Sequence, residues 1–218
     1  MKVFIVGIAG KVGIRLAERL VARGDEVDGL YRRPQQKEAL AAVGIQATEG
    51  DLVKMSAAEL AEAIRGSDVV VFSAGAGGEG GPEMTTAIDG DGMTKTIEAV
   101  QQAGIARLIL VSAFPNALRE RETSDRFEHY MTVKRRSEVE LVDSDLDWMI
   151  LRPGTLTDDT GSGRVSLSLA LPYGDVPRDD VAETLAEIVH APGTARTILE
   201  LISGSVPAAE AVATFDRA

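Results

Sequence analysis

Short apolar runs alternate along this chain with longer stretches in which apolar residues recur every three or four positions. Residues 2–6, 26–31, 45–48, 69–73, 108–112 and 148–151 read as six strands, with a weaker seventh at 197–201. Between them, residues 12–23, 36–43, 57–65, 84–103, 128–142 and 179–190 carry helical periodicity. Strand and helix in regular alternation predict an α/β protein whose parallel sheet is covered by helices on both faces. Gly24, Gly44, Gly66 and Gly104 stand where helices should close, as left-handed residues at the last turn. No internal repeat interrupts the pattern. The run Gly75-Ala76-Gly77-Gly78-Glu79-Gly80-Gly81-Pro82 follows the fourth strand, and the alternation continues beyond it, so it reads as a mobile loop rather than a domain linker. Loops at the carboxyl ends of parallel strands surround the ligand crevice, which makes this one a candidate lid.

Length and charge narrow the picture. The 218 residues suffice for one well-buried α/β core but are few for separate cofactor and substrate domains. A doubly wound, three-layer α/β/α sheet in a single domain over residues 1–218 is therefore expected, with small substrate-side elements near the carboxyl terminus. Thirty-four acidic against 23 basic residues give a net charge of −11, which opposes binding to a phosphate backbone, so nucleic acid is not an expected partner. Cysteine is absent and the two histidines lie far apart, so neither thiolate chemistry nor a metal site is indicated. The apolar start spans only about eight residues, too short for a signal sequence or membrane span. A soluble, cytoplasmic protein acting on a small molecule is expected; its oligomeric state stays open.

The turn after the first strand carries the most information. Gly7-Ile8-Ala9-Gly10-Lys11-Val12-Gly13 leads directly from Val3-Phe4-Ile5-Val6 into a helix. Glycines there let a pyrophosphate rest against free N–H groups and the positive end of the next helix. After the second strand, Arg32 and Arg33 occupy the place where an adenosine ribose lies in such sheets. Guanidinium groups pair with a 2′-phosphate, whereas a carboxylate would accept from a 2′-hydroxyl, so NADP is favoured and NAD remains open. Asp51 and Leu52 after the third strand, and Ser73, Ala74 and Gly75 after the fourth, are positions where an adenine and ribose approach backbone. Asp and Gly also end strands for turn chemistry alone.

Tyr130 and Lys134 stand four apart on one helix face. With three tyrosines and six lysines in the chain, a chance pair at this spacing is expected only about 0.08 times. A nearby ammonium lowers a phenol's pKa and prepares it for proton transfer. Ser112, at the end of the fifth strand, is placed to hold a substrate oxygen. Arg135 and Arg136 add positive potential but leave the helix in other directions. His129, about 100° around the helix from Tyr130, reads as structural or solvated. Trp148 reads as a core aromatic, and the charged stretch 119–126 borders the substrate mouth or forms a solvated segment.

Together Gly7 to Gly13, Arg32-Arg33, Gly50-Asp51-Leu52, Val111-Ser112-Ala113-Phe114, Tyr130-Met131-Thr132-Val133-Lys134 and Leu151-Arg152-Pro153-Gly154-Thr155-Leu156 resemble the short-chain dehydrogenase/reductase superfamily. The likeness is to its small atypical branch of NAD(P)H-binding proteins, related to flavin reductases and NmrA-like proteins, and it covers nearly the whole chain. It implies a Rossmann-like fold. It also implies that Ser112, Tyr130 and Lys134 match a catalytic trio, and that Pro153, Gly154, Thr155 and Leu156 receive the nicotinamide carboxamide. Val176 to Ala182 resembles the branch's helix start near the carboxyl terminus, where Asp179 or Asp180 would cap the helix. Many members carry a second hydroxyl after the first serine, where this chain has Ala113 and Phe114. The resemblance implies an NADPH-dependent reductase acting on a carbonyl, quinone or flavin. A redox sensor that binds NADP(H) without turnover, or a sugar-nucleotide epimerase or dehydratase, shares the same cofactor fold.

Overall fold

A computed structural model describes residues 1–117 and 122–216. Strand β1 (Lys2–Val6) turns into α1 (Lys11–Ala22), and β2 (Glu26–Tyr31) into α2 (Pro34–Ala42). Then come β3 (Thr48–Glu49), α3 (Ala57–Ile64) and β4 (Val69–Phe72). The next crossover is α4 (Gly81–Thr85), a π-helical stretch at Thr86–Asp91, and α5 (Gly92–Gln102). Next are β5 (Arg107–Val111), α6 (Asp125–Val142) and β6 (Asp147–Pro153). The last part holds β7 (Thr155–Thr157), β8 (Arg164–Ser168), β9 (Asp175–Pro177), α7 (Arg178–Val189), β10 (Thr197–Ser203), β11 (Val206–Pro207) and α8 (Ala208–Ala213).

Nine strands form one sheet in the order β11-β8-β10-β6-β5-β4-β1-β2-β3. From β10 to β3 neighbouring strands run parallel; β8 pairs antiparallel with β10 and with β11, and β7 pairs with β9 in a separate ribbon. The strands bury both faces because successive side chains alternate. Val3, Ile5, Val69, Val71, Ile109, Met149 and Leu151 point to the layer of α1 and α7. Phe4, Val6, Val70, Phe72, Leu108, Leu110, Trp148 and Ile150 point to the layer of α3, α5 and α6. Each such side chain contributes roughly 1.5–3 kcal/mol by leaving water. Helix α1 lies along α7 through a ladder of charges at four-residue steps. Arg15 reaches Asp179, Arg19 reaches Glu183, and Arg23 reaches both Glu183 and Glu187 at 2.6–3.2 Å.

Several expectations need correction. The third strand is two residues long and begins at Thr48; Ile45, three residues earlier, is apolar because it packs into the core, not because it pairs. Residues 84–103 are not one helix, since the π-helical stretch interrupts them and turns Asp89 inward to 3 % exposure. The glycine-rich run ends early, because Gly81 and Pro82 open α4, where proline's missing N–H is no loss. Helix α6 begins at Asp125, with the Ser124 hydroxyl accepting from Phe127 N. Neither Asp179 nor Asp180 caps α7, whose capping position is Pro177. Asp180 instead turns back to accept from the amides of Ser162 and Gly163. The antiparallel strands β8 and β11 and helix α8 were not expected, because residues 160–175 alternate weakly and are rich in Gly, Ser and Asp.

Candidate functional site

Strand order reverses between β1 and β4, and the loops leaving these two strands part at that point. Gly7 has φ +94°, and a Cβ there would lie 2.6 Å from Ala74 N and 2.8 Å from the Ser73 carbonyl carbon. A Cβ on Gly13 would lie 2.2 Å from Gly7 O. Gly10 N donates to Gly7 O at 2.9 Å, and Gly10 occupies the capping position of α1 without a side-chain cap. The first turn of α1 carries no acidic residue. Its leading amides and positive helix end therefore face the crevice uncapped, an arrangement that suits an anion. Ala9, Lys11 and Val12 belong to the same turn; Lys11 Nζ lies 2.6 Å from Asp158, which also binds Arg178.

A pocket of about 360 Å³ adjoins this turn, lined by Ala9, Ile14, Arg33, Gln36, Ala39 and Leu40. The amides of Arg32 and Arg33 both donate to Gln36 Oε1 at 2.9 Å, which fixes the backbone at the end of β2. Both arginines are exposed, and neither has an acidic partner among the described residues. Asp51 is committed in part to its own turn, accepting from Val53 N at 3.1 Å. Leu52 packs against Gly92, and Lys95 Nζ donates to the Leu52 carbonyl. Ser73 N donates to Val6 O, keeping Ser73, Ala74 and Gly75 against Gly7.

The other end of the crevice is built from charged side chains. Lys134 is 3 % exposed, and its Nζ donates to the Val111 carbonyl at 2.9 Å, one residue before Ser112. Its ion-pair partner is Asp89 at 3.9 Å. Asp89 also accepts from Ala76 N at 2.9 Å and, through its carbonyl, from the Ser137 hydroxyl. It thereby joins the glycine-rich loop to α6. Burial pushes the Asp89 carboxyl up and the Lys134 ammonium down, and their mutual attraction opposes both shifts. One turn further along α6, the buried Glu138 grips Arg152 of β6 with two bonds of 2.9 and 2.6 Å. The Ser112 hydroxyl is buried without a hydrogen-bond partner among the described residues.

Tyr130 shares this face of α6 with Lys134, but the expected electrostatics is reversed. Burial pushes the phenol well above its usual value, and Asp89, Glu138 and Tyr173 push it the same way. The Lys134 ammonium is taken up by the Val111 carbonyl and Asp89, so it does not bring the phenol down. Gly154 and Thr155 meet the loop before β9: Thr155 N donates to Gly174 O, and a Cβ on Gly154 would lie 1.9 Å from that same oxygen. Pro153 and Leu156 flank this contact. His129 holds Thr86 and the Pro82 carbonyl, and Trp148 is buried in the core. Residues 119–121 of the charged stretch lie outside the described residues. A second pocket of about 360 Å³ is lined by Ala113, Met131, Lys134, Glu138 and Arg152 but not by Ser112 or Tyr130.

The sequence reading missed Asp89, Glu138 and Tyr173. An aspartate within a predicted helix facing a glycine-rich loop, and a glutamate one turn after the lysine, were the available signals. Among the described residues no cluster of His, Cys, Asp or Glu is arranged to hold a metal, and no helix is long and apolar enough to cross a membrane.

Comparison with known proteins agrees with this geometry. The uncharacterized sugar epimerase YhfK of Bacillus subtilis is 36% identical over 213 residues, covering 97% of this chain and 99% of that protein. A solved Bacillus halodurans structure, named a "putative NAD-dependent epimerase/dehydratase", is 31% identical, superimposes with a TM-score of 0.89, and covers 98% of this chain and 99% of its own. The anaerobilin reductase ChuY of Escherichia coli O157:H7 is 25% identical with a TM-score of 0.77, covering 94% of this chain and 98% of its own. A family model described as NAD(P)H-binding matches residues 7–192, and the chain belongs to that family.

Proposed function

We propose that this protein is an NADPH-dependent reductase that passes hydride to a small carbonyl, quinone or flavin acceptor. The observation that carries the reading is the Ser112 hydroxyl, buried without a hydrogen-bond partner among the described residues and one residue after the carbonyl that takes the Lys134 ammonium, with the buried phenol of Tyr130 one helical turn before that lysine. A nicotinamide coenzyme supplies the hydride when bound. Gly7, Gly10 and Gly13, with Ala9, Lys11 and Val12, would hold its diphosphate against the amides of α1. Arg32 and Arg33 would pair with a 2′-phosphate, while Asp51, Leu52, Ser73, Ala74 and Gly75 would flank the adenosine. Pro153, Gly154, Thr155 and Leu156 would receive the carboxamide.

The reaction itself needs a proton where the acceptor oxygen gains charge. With a carbonyl acceptor, Ser112 donates a hydrogen bond to that oxygen, and Tyr130 gives its phenolic proton to it as the carbonyl carbon takes hydride, afterwards regaining one from water. The raised pKa keeps the phenol protonated but makes it a weaker acid, so its proton leaves only toward the strongly basic oxyanion that forms as hydride arrives. Lys134 positions the Val111–Ser112 backbone and, through Asp89, the loop at Ala76. The name of the Bacillus subtilis relative supports a second reading, epimerisation of a sugar substrate by the same three side chains.

An acceptor panel followed by NADPH absorbance tests the proposal. Turnover is expected with at least one carbonyl, quinone or flavin, falling about 10²–10⁴-fold in Tyr130→Phe while NADPH affinity holds. Stoichiometric NADPH binding without oxidation across the panel would make the protein a sensor. Equal affinities for NADPH and NADH would defeat the role given to Arg32 and Arg33.

A further inference from the structure

The glycine turn carries a cation whose partner comes from far along the chain. Lys11 opens α1, and its Nζ lies 2.6 Å from Asp158 Oδ2, a carboxylate 147 residues later. The other Asp158 oxygen accepts from Arg178, the first residue of α7, at 2.9 Å. Asp158 directly follows β7, so one side chain joins the glycine turn to the strand proposed to receive the carboxamide.

This carboxylate is held in place, yet the fold does not depend on its bond to Lys11. The segment that follows it is anchored by Asp180, which accepts from Ser162 N at 3.2 Å and from Gly163 N at 2.7 Å. Helices α1 and α7 are already joined by Arg15–Asp179, Arg19–Glu183 and Arg23–Glu187. The side chains of Lys11 and Asp158 are 65% and 52% exposed, so their bond adds little to stability and exchanges readily with other ions. The heads of the two helices also differ. Helix α7 carries Asp179 and Asp180 in its own first turn, whereas α1 has no acidic residue there and takes its carboxylate from Asp158.

We infer that Asp158 is a built-in competitor for the coenzyme diphosphate: it neutralises Lys11 in the free protein, and an arriving diphosphate takes Lys11 from it while Asp158 keeps Arg178. The inference rests on the reading that puts the diphosphate at the turn from Gly7 to Gly13. Carboxylate and diphosphate ask the same of Lys11, an ammonium that donates hydrogen bonds and cancels charge, and one flexible side chain serves them in turn. The adenine, the 2′-phosphate and the nicotinamide have no part in this exchange, so Asp158 lowers the affinity for NADPH and NADH alike. A bridge that merely braced the crevice would act in the other direction, since its loss would loosen the turn and weaken binding.

Calorimetric titration of the full chain with NADPH and with NADH at low salt tests the competition. Asp158→Asn is expected to lower both dissociation constants about three- to fivefold, a gain that shrinks as salt is added. Asp159→Asn removes the same charge one residue on, from an exposed side chain with no ion-pair partner among the described residues, and should leave both constants within about 1.5-fold. In a Lys11→Ala background, itself weaker in binding, Asp158→Asn should likewise change both by no more than about 1.5-fold. Thermal melting of each variant confirms that it is folded. Unchanged or weaker binding in Asp158→Asn, an equal gain in Asp159→Asn, or a full gain without Lys11 overturns the competition. A wild type that binds neither coenzyme overturns it together with the diphosphate reading. Coenzyme that binds with the expected dependence on Asp158 and Lys11 but is oxidised by no acceptor leaves the competition standing and removes only the reductase reading.

Discussion

The turn after β1 is made of backbone, whereas the cluster after β5 is made of side chains. In the first, Gly7, Gly10 and Gly13 contribute by lacking atoms: any Cβ at Gly7 or Gly13 would collide with main chain at 2.2–2.6 Å. In the second, Lys134, Asp89, Glu138 and Arg152 contribute charges that had to be taken out of water and paired. A backbone site asks little of the rest of the fold, since strand, turn and helix are neighbours in sequence. A side-chain site asks much more, because its members come from the π-helical stretch before α5, from α6 and from β6. Stability and chemistry are therefore entangled in the second region and nearly separate in the first.

Substitutions at four positions break or sharpen that contrast. The largest effect is expected from Gly13→Val, whose Cβ would collide with the Gly7 carbonyl and the Ile8 backbone. Coenzyme binding measured by calorimetry should fall by more than about 100-fold, with stability in denaturant lowered by roughly 3 kcal/mol. Retention of wild-type affinity would mean that the turn is not where the diphosphate rests.

Asp89→Ala leaves Lys134 buried without its partner and frees Ala76 N, and is expected to cost about 3–5 kcal/mol in denaturant unfolding. The pH dependence sharpens the comparison against a second buried aspartate. Burial works against the Asp25 carboxylate, yet hydrogen bonds from the amino-terminal ammonium and His190 hold it below its usual range. Its contribution is present above the unfolded-state value and lost as pH falls through the lower folded value. Asp89 has the opposite sign: its folded value is raised, so stability declines as pH rises from the unfolded toward the folded value. Stability measured against pH should therefore lose its acid-side fall in Asp25→Asn and its decline above the ordinary carboxylate range in Asp89→Asn. Identical profiles for the two variants would show that the pair at Lys134 is not the strained one.

The smallest effect belongs to the ladder between α1 and α7. Arg19→Ala removes contacts to Glu183 and Asp179 at 2.8 and 3.4 Å from a side chain that is 26% exposed. About 0.5–1 kcal/mol is expected, shrinking as salt is added. A loss near that of Asp89→Ala would mean that the surface charges between α1 and α7 stabilise the fold as much as the buried pair does.

Much of this was readable in the sequence. The parallel strands announced themselves as apolar runs because a strand covered on both faces has no polar side to hide. The glycine turn was readable because each glycine answers a local geometric demand. Tyr130 and Lys134 were readable as a pair by helical spacing alone. Asp89 was not, since a π-helical stretch shifts the register that periodicity assumes, and Tyr173 sits on a loop with no period at all.

What the amino-acid sequence determined by itself was therefore the order of strands and helices, the bare amides at the head of α1 and the shared helix face of Tyr130 and Lys134. All of these depend on residues within a few positions of one another. The tertiary structure alone decided that Lys134 meets Asp89 and the Val111 carbonyl, that Tyr130 is pushed toward its protonated form, and that Tyr173 meets Thr155 and Phe114. Those outcomes depend on burial and on charges brought from distant segments, and neither quantity exists until the sheet and its layers have closed around them.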